Sequence, residues 1–92
     1  MLTFDVSFHS DDLDLGCVLW AYETVMGRVR FDIGSLILQD VLNGGNPVHG
    51  PANVTLCKRD RPRIEAACRH AFAIRPSERI KLEASDFNPT TS

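Results

Sequence analysis

The feature that most constrains the fold of this chain is the alternation of apolar and polar residues in its first third. Four apolar residues alternate with polar ones at the start: Leu2, Phe4, Val6 and Phe8. A period of two is that of a half-buried β-strand. Residues 17–24 (CVLWAYET) are rich in β-branched and aromatic residues, and residues 28–33 (RVRFDI) alternate again. The sequence therefore predicts three strands in its first third.

The second and third of these strands are close enough in sequence to form an antiparallel hairpin. Residues 25–27 (VMG) separate them, and Gly27 can adopt the positive φ that a tight turn requires. The third strand is expected to have a polar outer face and an inner face of Val29, Phe31 and Ile33. Trp20 and Tyr22 share one face of the second strand, and we interpret them as packing in the core or on the sheet surface rather than as a ligand platform.

The remainder of the chain is predicted to be mainly helical. A short helix would begin with Ser35 as its N-cap and end at residues 43–44. Its apolar stripe would consist of Leu36, Ile37, Val41 and Leu42. A longer helix is expected from near Pro51 to Ala73, and residues 79–84 (RIKLEA) alternate as a last strand.

Pro62 lies inside the predicted long helix, and two arrangements are compatible with it. A proline in a helix interior removes the hydrogen bond to the carbonyl of Lys58 and costs about 3 kcal/mol. The helix either kinks at Pro62, or residues 51–60 form a separate turn and the helix begins at Pro62. We favour the kink, because the apolar stripe keeps its register across the proline.

These elements indicate one α+β domain spanning residues 1–92, with the order β-β-β-α-α-β. We expect an antiparallel sheet of about four strands with both helices packed on one face. Residues 88–92 are expected to form a disordered tail.

The composition argues against several classes of protein. The N-terminus lacks the features of a signal peptide, and no apolar run approaches the roughly 20 residues that span a membrane. The three cysteines match no zinc or redox spacing, so we interpret them as reduced and buried. We therefore expect a cytoplasmic protein with no membrane partner, and we predict no metal site, no cofactor and no catalytic residue.

A concentration of basic residues is the one candidate site. Residues 51–92 contain eight basic and five acidic residues, against two and seven in residues 1–50. Wound as a helix, residues 54–75 would present what we call the helical basic face: Lys58, Arg59, Arg63, Arg69 and His70. It is either a solvated surface or a contact site for an acidic protein or nucleic acid. The net charge of −2 and the lack of interleaved aromatic residues favour the solvated surface.

Several short patterns follow one another in a specific order between residues 16 and 87. They comprise an aromatic strand with a following acidic residue, a methionine before an alternating strand, a helical pattern and a terminal pair: Trp20, Glu23, Met26, Phe31, Ile33, Arg61, Ile64, Cys68, Asp86 and Phe87. Their order resembles domain-of-unknown-function family 1488, a small bacterial family. The resemblance implies a small α+β fold and a bacterial, cytoplasmic protein, and it implies no activity. Pro62 departs from the unbroken helix expected in that family.

These observations predict a non-enzymatic binding or protein-interaction module. Its partner would be another protein or a second copy of the chain, bound through a sheet edge or a helix. The alternative is a nucleic-acid-associated regulator that acts through the helical basic face. A small enzyme that uses a cysteine or histidine near the glycine-rich segment, residues 43–51, is a third hypothesis.

Overall fold

The computed structural model describes residues 2–11, 16–47 and 52–87. The strands are β1 (Leu2–Asp11), β2 (Gly16–Glu23), β3 (Gly27–Ile33) and β4 (Arg79–Lys81). The helices are α1 (Ser35–Ile37, continued by a π-helical turn over Leu38–Leu42), α2 (Ala52–Arg59), α3 (Arg61–Ile74) and α4 (Ala84–Phe87). The predicted disordered tail and part of the glycine-rich segment lie outside the described residues.

The four strands form one sheet in the order β1-β2-β3-β4. The prediction of an α+β fold with about four strands is confirmed. The prediction of an entirely antiparallel sheet is wrong, because β4 pairs parallel to β3 while the other two pairs are antiparallel. The reason is the connection: the chain leaves β3, passes through helices and returns, and such a crossover brings the next strand back in the same direction.

The β2–β3 hairpin forms as predicted. Trp20 lies opposite Arg30, and the turn ends at Gly27 with φ of +86°. The Glu23 carboxylate accepts hydrogen bonds from the backbone N–H groups of Val25 (2.7 Å) and Met26 (3.0 Å). These two bonds lower the pKa of Glu23 below its usual value, and the bond from Met26 has the larger effect. The turn is therefore fixed by a carboxylate from the end of β2.

A β-bulge interrupts β1 and breaks the expected alternation. Phe4 pairs with Ala21 and Phe8 with Leu19, so three residues of β1 lie opposite one residue of β2. Val6, expected on the buried face, is 84% exposed. Arg61, at the start of α3, donates hydrogen bonds to the carbonyls of Asp5 and Val6, the latter at 2.9 Å. The bulge is thus held in place by a helix that lies far away in sequence.

The first helix differs from its prediction in two respects. Gly34 occupies the N-cap position, and Ser35 is the first helical residue rather than the cap. The helix therefore has no capping hydrogen bond from a side chain at the N-cap. The π-helical turn uses wider, i to i+5 hydrogen bonds. Leu38 and Leu42 of this turn are buried, whereas Leu36, which lies in α1 and was expected in the apolar stripe, is exposed.

The predicted long helix is two helices. Asp60 separates α2 from α3 with φ of −104° and ψ of +24°, outside the helical region. Pro62 lies in the first turn of α3, where its missing N–H has no intrahelical partner to lose. The favoured kinked helix is therefore wrong. The other arrangement, a separate segment followed by a helix that begins at Pro62, is closer to the structure: α3 begins at Arg61. Residues 52–59, however, form a helix rather than a turn.

The hydrophobic core lies between the helices and one face of the sheet. The apolar residues of α2 and α3 belong to the same buried cluster as the inner residues of the strands. Its largest fully buried apolar side chains are Leu19, Val29, Phe31, Ile33, Leu38, Ile64 and Leu82. Helix α4 was not predicted. It follows a strand that is three residues shorter than expected, and its Phe87 packs against the core.

Candidate functional site

The structure distributes the helical basic face over two helices. Lys58 and Arg59 end α2, whereas the other three residues lie on α3. Arg59 donates to the carbonyl of Leu42 at 3.0 Å and to the carboxylate of Asp60 at the same distance. The guanidinium of Arg59 therefore joins α2 to the end of the π-helical turn.

Two further members of this face have neighbours inside the fold. Arg69 lies 5.0 Å from the ring centroid of Phe4 and 3.6 Å from the carboxylate of Glu65. His70 Nδ1 lies 3.1 Å from Oδ1 of Asp86. Across the described residues, Lys58 and Arg63 make no hydrogen bond or ion pair. The five residues therefore differ in their surroundings, and the binding role predicted for them stays a prediction.

Asp86 is the centre of a buried polar cluster at the end of α3. Its carboxylate accepts hydrogen bonds from Arg75 at 2.6 and 3.1 Å and from the backbone N–H of Glu83 at 2.8 Å. Burial alone would raise the pKa of Asp86, but the bonds from Arg75, the Glu83 backbone and His70 outweigh it and lower that pKa. The same contact raises the pKa of Arg75. This cluster fixes α4 against α3.

The face of the sheet opposite the helices contains the second group of polar and aromatic side chains. We call it the open face, and its members with a described side chain are Thr3, Asp5, His9, Val18, Trp20, Tyr22, Arg28, Arg30, Asp32, Arg79 and Lys81, of which Val18 is buried. These residues alternate along their strands with the inner residues of the core, so they point away from the helices.

Two aromatic side chains of β2 lie on the open face. Tyr22 is 59% exposed. Trp20 is partly exposed, and the guanidinium of Arg28 lies 4.2 Å from the centroid of its ring. They line a groove of about 350 Å³ together with Thr3 and Asp5, at the lower end of the range of about 300–1,000 Å³ typical of small-ligand pockets.

The cations of the open face are oriented by a shared carboxylate. Asp32 accepts from Nε of Arg30 and from Nε of Arg79, both at 2.8 Å. Asp32 is largely buried, whereas Arg79 and Lys81 on β4 are exposed. The shared carboxylate orients two guanidinium groups, one strand and two strands away from the aromatic pair on β2.

The charged side chains described on the open face are mainly basic. Among its described members four side chains are basic (Arg28, Arg30, Arg79 and Lys81) and two are acidic (Asp5 and Asp32). These six described side chains therefore have an excess of two positive charges, while the whole chain has a net charge of −2. Their charge balance favours an anionic ligand.

The cysteines lie inside the core. Cys17, Cys57 and Cys68 are all free and buried. A hydrogen bond with Cys17, together with burial, raises the pKa of Cys57, and burial raises the pKa of Cys68. Cys57 and Cys68 are therefore protonated thiols at neutral pH, which are poor nucleophiles and poor metal ligands.

The described residues contain no group of three side chains placed to hold a metal ion. Within the same ranges, the helices are all too short or too polar to cross a membrane. No family model, curated protein or solved structure matches the chain. The resemblance to domain-of-unknown-function family 1488 stays a prediction.

Sequence reasoning missed the open face although a signal was present. A turn that ends at Gly27 fixes the hairpin register and sets Trp20 opposite Arg30 and Tyr22 opposite Arg28. Residues opposite each other in an antiparallel pair share a face. The aromatic side chains therefore belong with the arginines on the outside and not with the core.

Proposed function

We propose that this chain is a non-enzymatic binding module whose binding surface is the open face. The observation that carries the proposal is the placement of Trp20 and Tyr22 on the side of the sheet opposite the helices, where Tyr22 is exposed and Trp20 lies beside Arg28. Aromatic side chains and arginine are enriched at sites of recognition. Tyrosine and tryptophan give a large contact area with little loss of conformational freedom, and arginine adds charge and several hydrogen-bond donors. The groove next to them supplies a concave surface.

The experiment compares the unmodified chain with two variants that each carry two substitutions. One combines Tyr22→Ala with Arg28→Glu on the open face; the other combines Lys58→Glu with Arg63→Glu on the helices. Each protein is immobilised and exposed to a bacterial lysate, and all bound protein and nucleic acid is quantified. We expect specific ligands that are retained by the unmodified chain and the helix variant but lost from the open-face variant.

Two results would count against the proposal. Identical retention by all three proteins would mean that the open face binds nothing specific. Loss from the helix variant alone would place the binding surface on the helical basic face, as in the alternative hypothesis. Because Tyr22, Arg28, Lys58 and Arg63 are all exposed, both variants are expected to fold.

Self-association through a sheet edge stays a prediction. On β1 the bulge and the bonds from Arg61 to the carbonyls of Asp5 and Val6 interrupt the row of free backbone groups. Such features are typical of edges that are protected from pairing. The other edge strand, β4, is three residues long. Solution mass measured over a range of concentrations tests this prediction, and a constant monomer mass would contradict it.

A further inference from the structure

We infer that the ligand of the open face is single-stranded RNA, with its bases stacked on Trp20 and Tyr22 and its phosphates beside the cations of β3 and β4. This inference rests on the proposed function. It follows from the arrangement of the aromatic and cationic side chains and from the sign of the charge on that face.

Aromatic and cationic side chains occupy separate, adjacent strands. Tyr22 on β2 lies opposite Arg28 on β3, and Trp20 lies opposite Arg30, which in turn lies opposite Arg79 on β4. Neighbouring strands are about 4.8 Å apart. A polynucleotide that runs along β2 would therefore place its bases over the aromatic pair and its phosphates one or two strand spacings away, over the cations.

The spacing of the aromatic pair suits bases that are unstacked from one another. Trp20 and Tyr22 are two residues apart in one strand, which corresponds to about 6.7 Å. This is about twice the spacing of stacked bases, about 3.4 Å. Splayed bases that stack on protein side chains are the usual substrate of sequence-tolerant single-strand binding. A duplex hides the faces of its bases and could use only the cations.

The charge of the described side chains favours an anion. Those of the open face have an excess of two positive charges within a chain of net charge −2. The guanidinium of Arg28 already covers one side of the Trp20 ring. An acidic peptide would satisfy the cations but would leave Tyr22 and the other side of Trp20 without planar partners. A nucleic acid satisfies both groups of side chains at once.

Two polar side chains at the edge of the groove favour RNA over DNA. Thr3 and the carboxylate of Asp5 line the groove beside the aromatic pair. A carboxylate accepts hydrogen bonds readily, and the 2′-hydroxyl, which only RNA carries, is a donor. The backbone N–H of Val6 donates to Oδ1 of Asp5 at 2.8 Å, and Nε2 of His9 lies 4.0 Å from Oδ2; the carboxylate keeps further lone pairs that can accept from a ligand.

The test is fluorescence anisotropy with a labelled single-stranded RNA of about 12 nucleotides and mixed sequence, at about 50 and 200 mM salt. Emission from Trp20, the one tryptophan of the chain, is followed in parallel with unlabelled RNA. We expect quenching of this emission and weaker binding at the higher salt concentration. DNA of the same sequence should bind more weakly, and the duplex more weakly still.

Two variants assign the contacts. Tyr22→Ala should weaken binding about 5- to 150-fold, the range for loss of one stacked base. Arg28→Glu with Lys81→Glu should weaken binding about tenfold or more at about 50 mM salt and should reduce its salt dependence. The matched control, Lys58→Glu with Arg63→Glu, introduces the same charge change on the helices and should leave the affinity within about twofold.

Each contrary result overturns a defined part of this inference. If no RNA binds at about 50 mM salt, RNA is not the ligand. If the DNA strand binds as tightly as RNA, the proposed contact with the 2′-hydroxyl is wrong. If the duplex binds as tightly, the proposed stacking on Trp20 and Tyr22 is wrong. Loss of binding in the helix control but not in the open-face variants moves the site to the helical basic face. If RNA fails to bind while the lysate experiment still yields a protein that depends on Tyr22 and Arg28, the inference is wrong and the proposed function stands.

Discussion

Replacing Asp86 by asparagine tests whether the buried polar cluster stabilises the fold. Asp86 is 2% exposed, and hydrogen bonds from Arg75, His70 and the Glu83 backbone converge on its carboxylate. Asparagine has nearly the same shape but is uncharged and keeps one acceptor oxygen. The change therefore removes the charge and about half of the acceptor capacity without opening a cavity.

The expected loss follows from these contacts. Hydrogen bonds to a charged group contribute about 1.5–3 kcal/mol each, so losing two would cost about 3–6 kcal/mol. The Arg75 side chain is 35% exposed, and water recovers part of its interaction. We expect the free energy of unfolding at pH 7 to fall by about 2–3 kcal/mol, which corresponds to about 8–24 °C in Tm for a domain of this size. Urea and thermal unfolding measure it.

The pH dependence provides a second, independent readout. The pKa of Asp86 is lowered in the folded state, so its stabilising contribution is fully present above the unfolded value of about 3.9. It is lost as the pH falls through the folded value, because the unfolded chain binds the proton more readily. The difference between the unmodified chain and Asp86→Asn should therefore shrink below about pH 4.

A neighbouring carboxylate supplies the control. Glu83 lies 3.7 Å from the same guanidinium, but its side chain is 65% exposed. Glu83→Gln should change the free energy of unfolding by less than about 0.5 kcal/mol, as for other exposed ion pairs. Equal effects of the two substitutions, or a difference between Asp86→Asn and the unmodified chain that stays constant down to about pH 3, would refute the reasoning.

Three further predictions concern the core and the helix boundary. Pro62→Ala should change the free energy of unfolding by less than about 1 kcal/mol in urea, because Pro62 lies in the first turn of α3; a gain near 3 kcal/mol would indicate an interior proline. Gly16→Ala should destabilise the fold by about 1–3 kcal/mol in the same assay, because its Cβ would lie 2.1 Å from the carbonyl oxygen of Ile33; unchanged stability would contradict that contact. Cys68 should react with a thiol reagent no faster than the chain unfolds, since it is buried with a raised pKa; rapid labelling of the folded protein would show an accessible thiolate.

Much of the fold is readable from local patterns. The three N-terminal strands, the position of Gly27 and the end of the first helix depend on neighbouring residues, and each follows from periodicity or turn chemistry. Helices α2 and α3 also have a local signal. Asp60 directly before Arg61-Pro62 is the arrangement of a helix start, and the continuous apolar stripe concealed it.

Features that depend on distant residues are harder to predict. Val6 points outward because a bulge shifts β1, and Arg61, 55 residues away, binds the carbonyl that the bulge presents. The burial of Asp86 likewise requires Arg75 and His70 from a different element. No periodicity in β1 or α4 contains that information.

The same distinction between local and distant information applies to the helical basic face and the open face. The sequence shows that Lys58, Arg59, Arg63, Arg69 and His70 are close together along the chain, but not that Arg59, Arg69 and His70 interact within the fold. The open face was hidden for a different reason. β2 has apolar residues on both faces, so its own pattern does not distinguish inside from outside, and only its register with β3 does.

The parallel pairing of β4 also sets the order in which the domain can assemble. The β1–β3 meander closes through short connections, whereas the bond between Arg79 and Asp32 joins residues 47 positions apart. Closing a loop of that length costs about 3 kcal/mol of chain entropy beyond a constant, and such contacts form late. The part of the open face formed by β2 and β3 can therefore fold early. The cations of β4, Arg79 and Lys81, join it only when the C-terminal half of the chain has folded. A nascent or locally unfolded chain would display the aromatic residues without their full complement of charge.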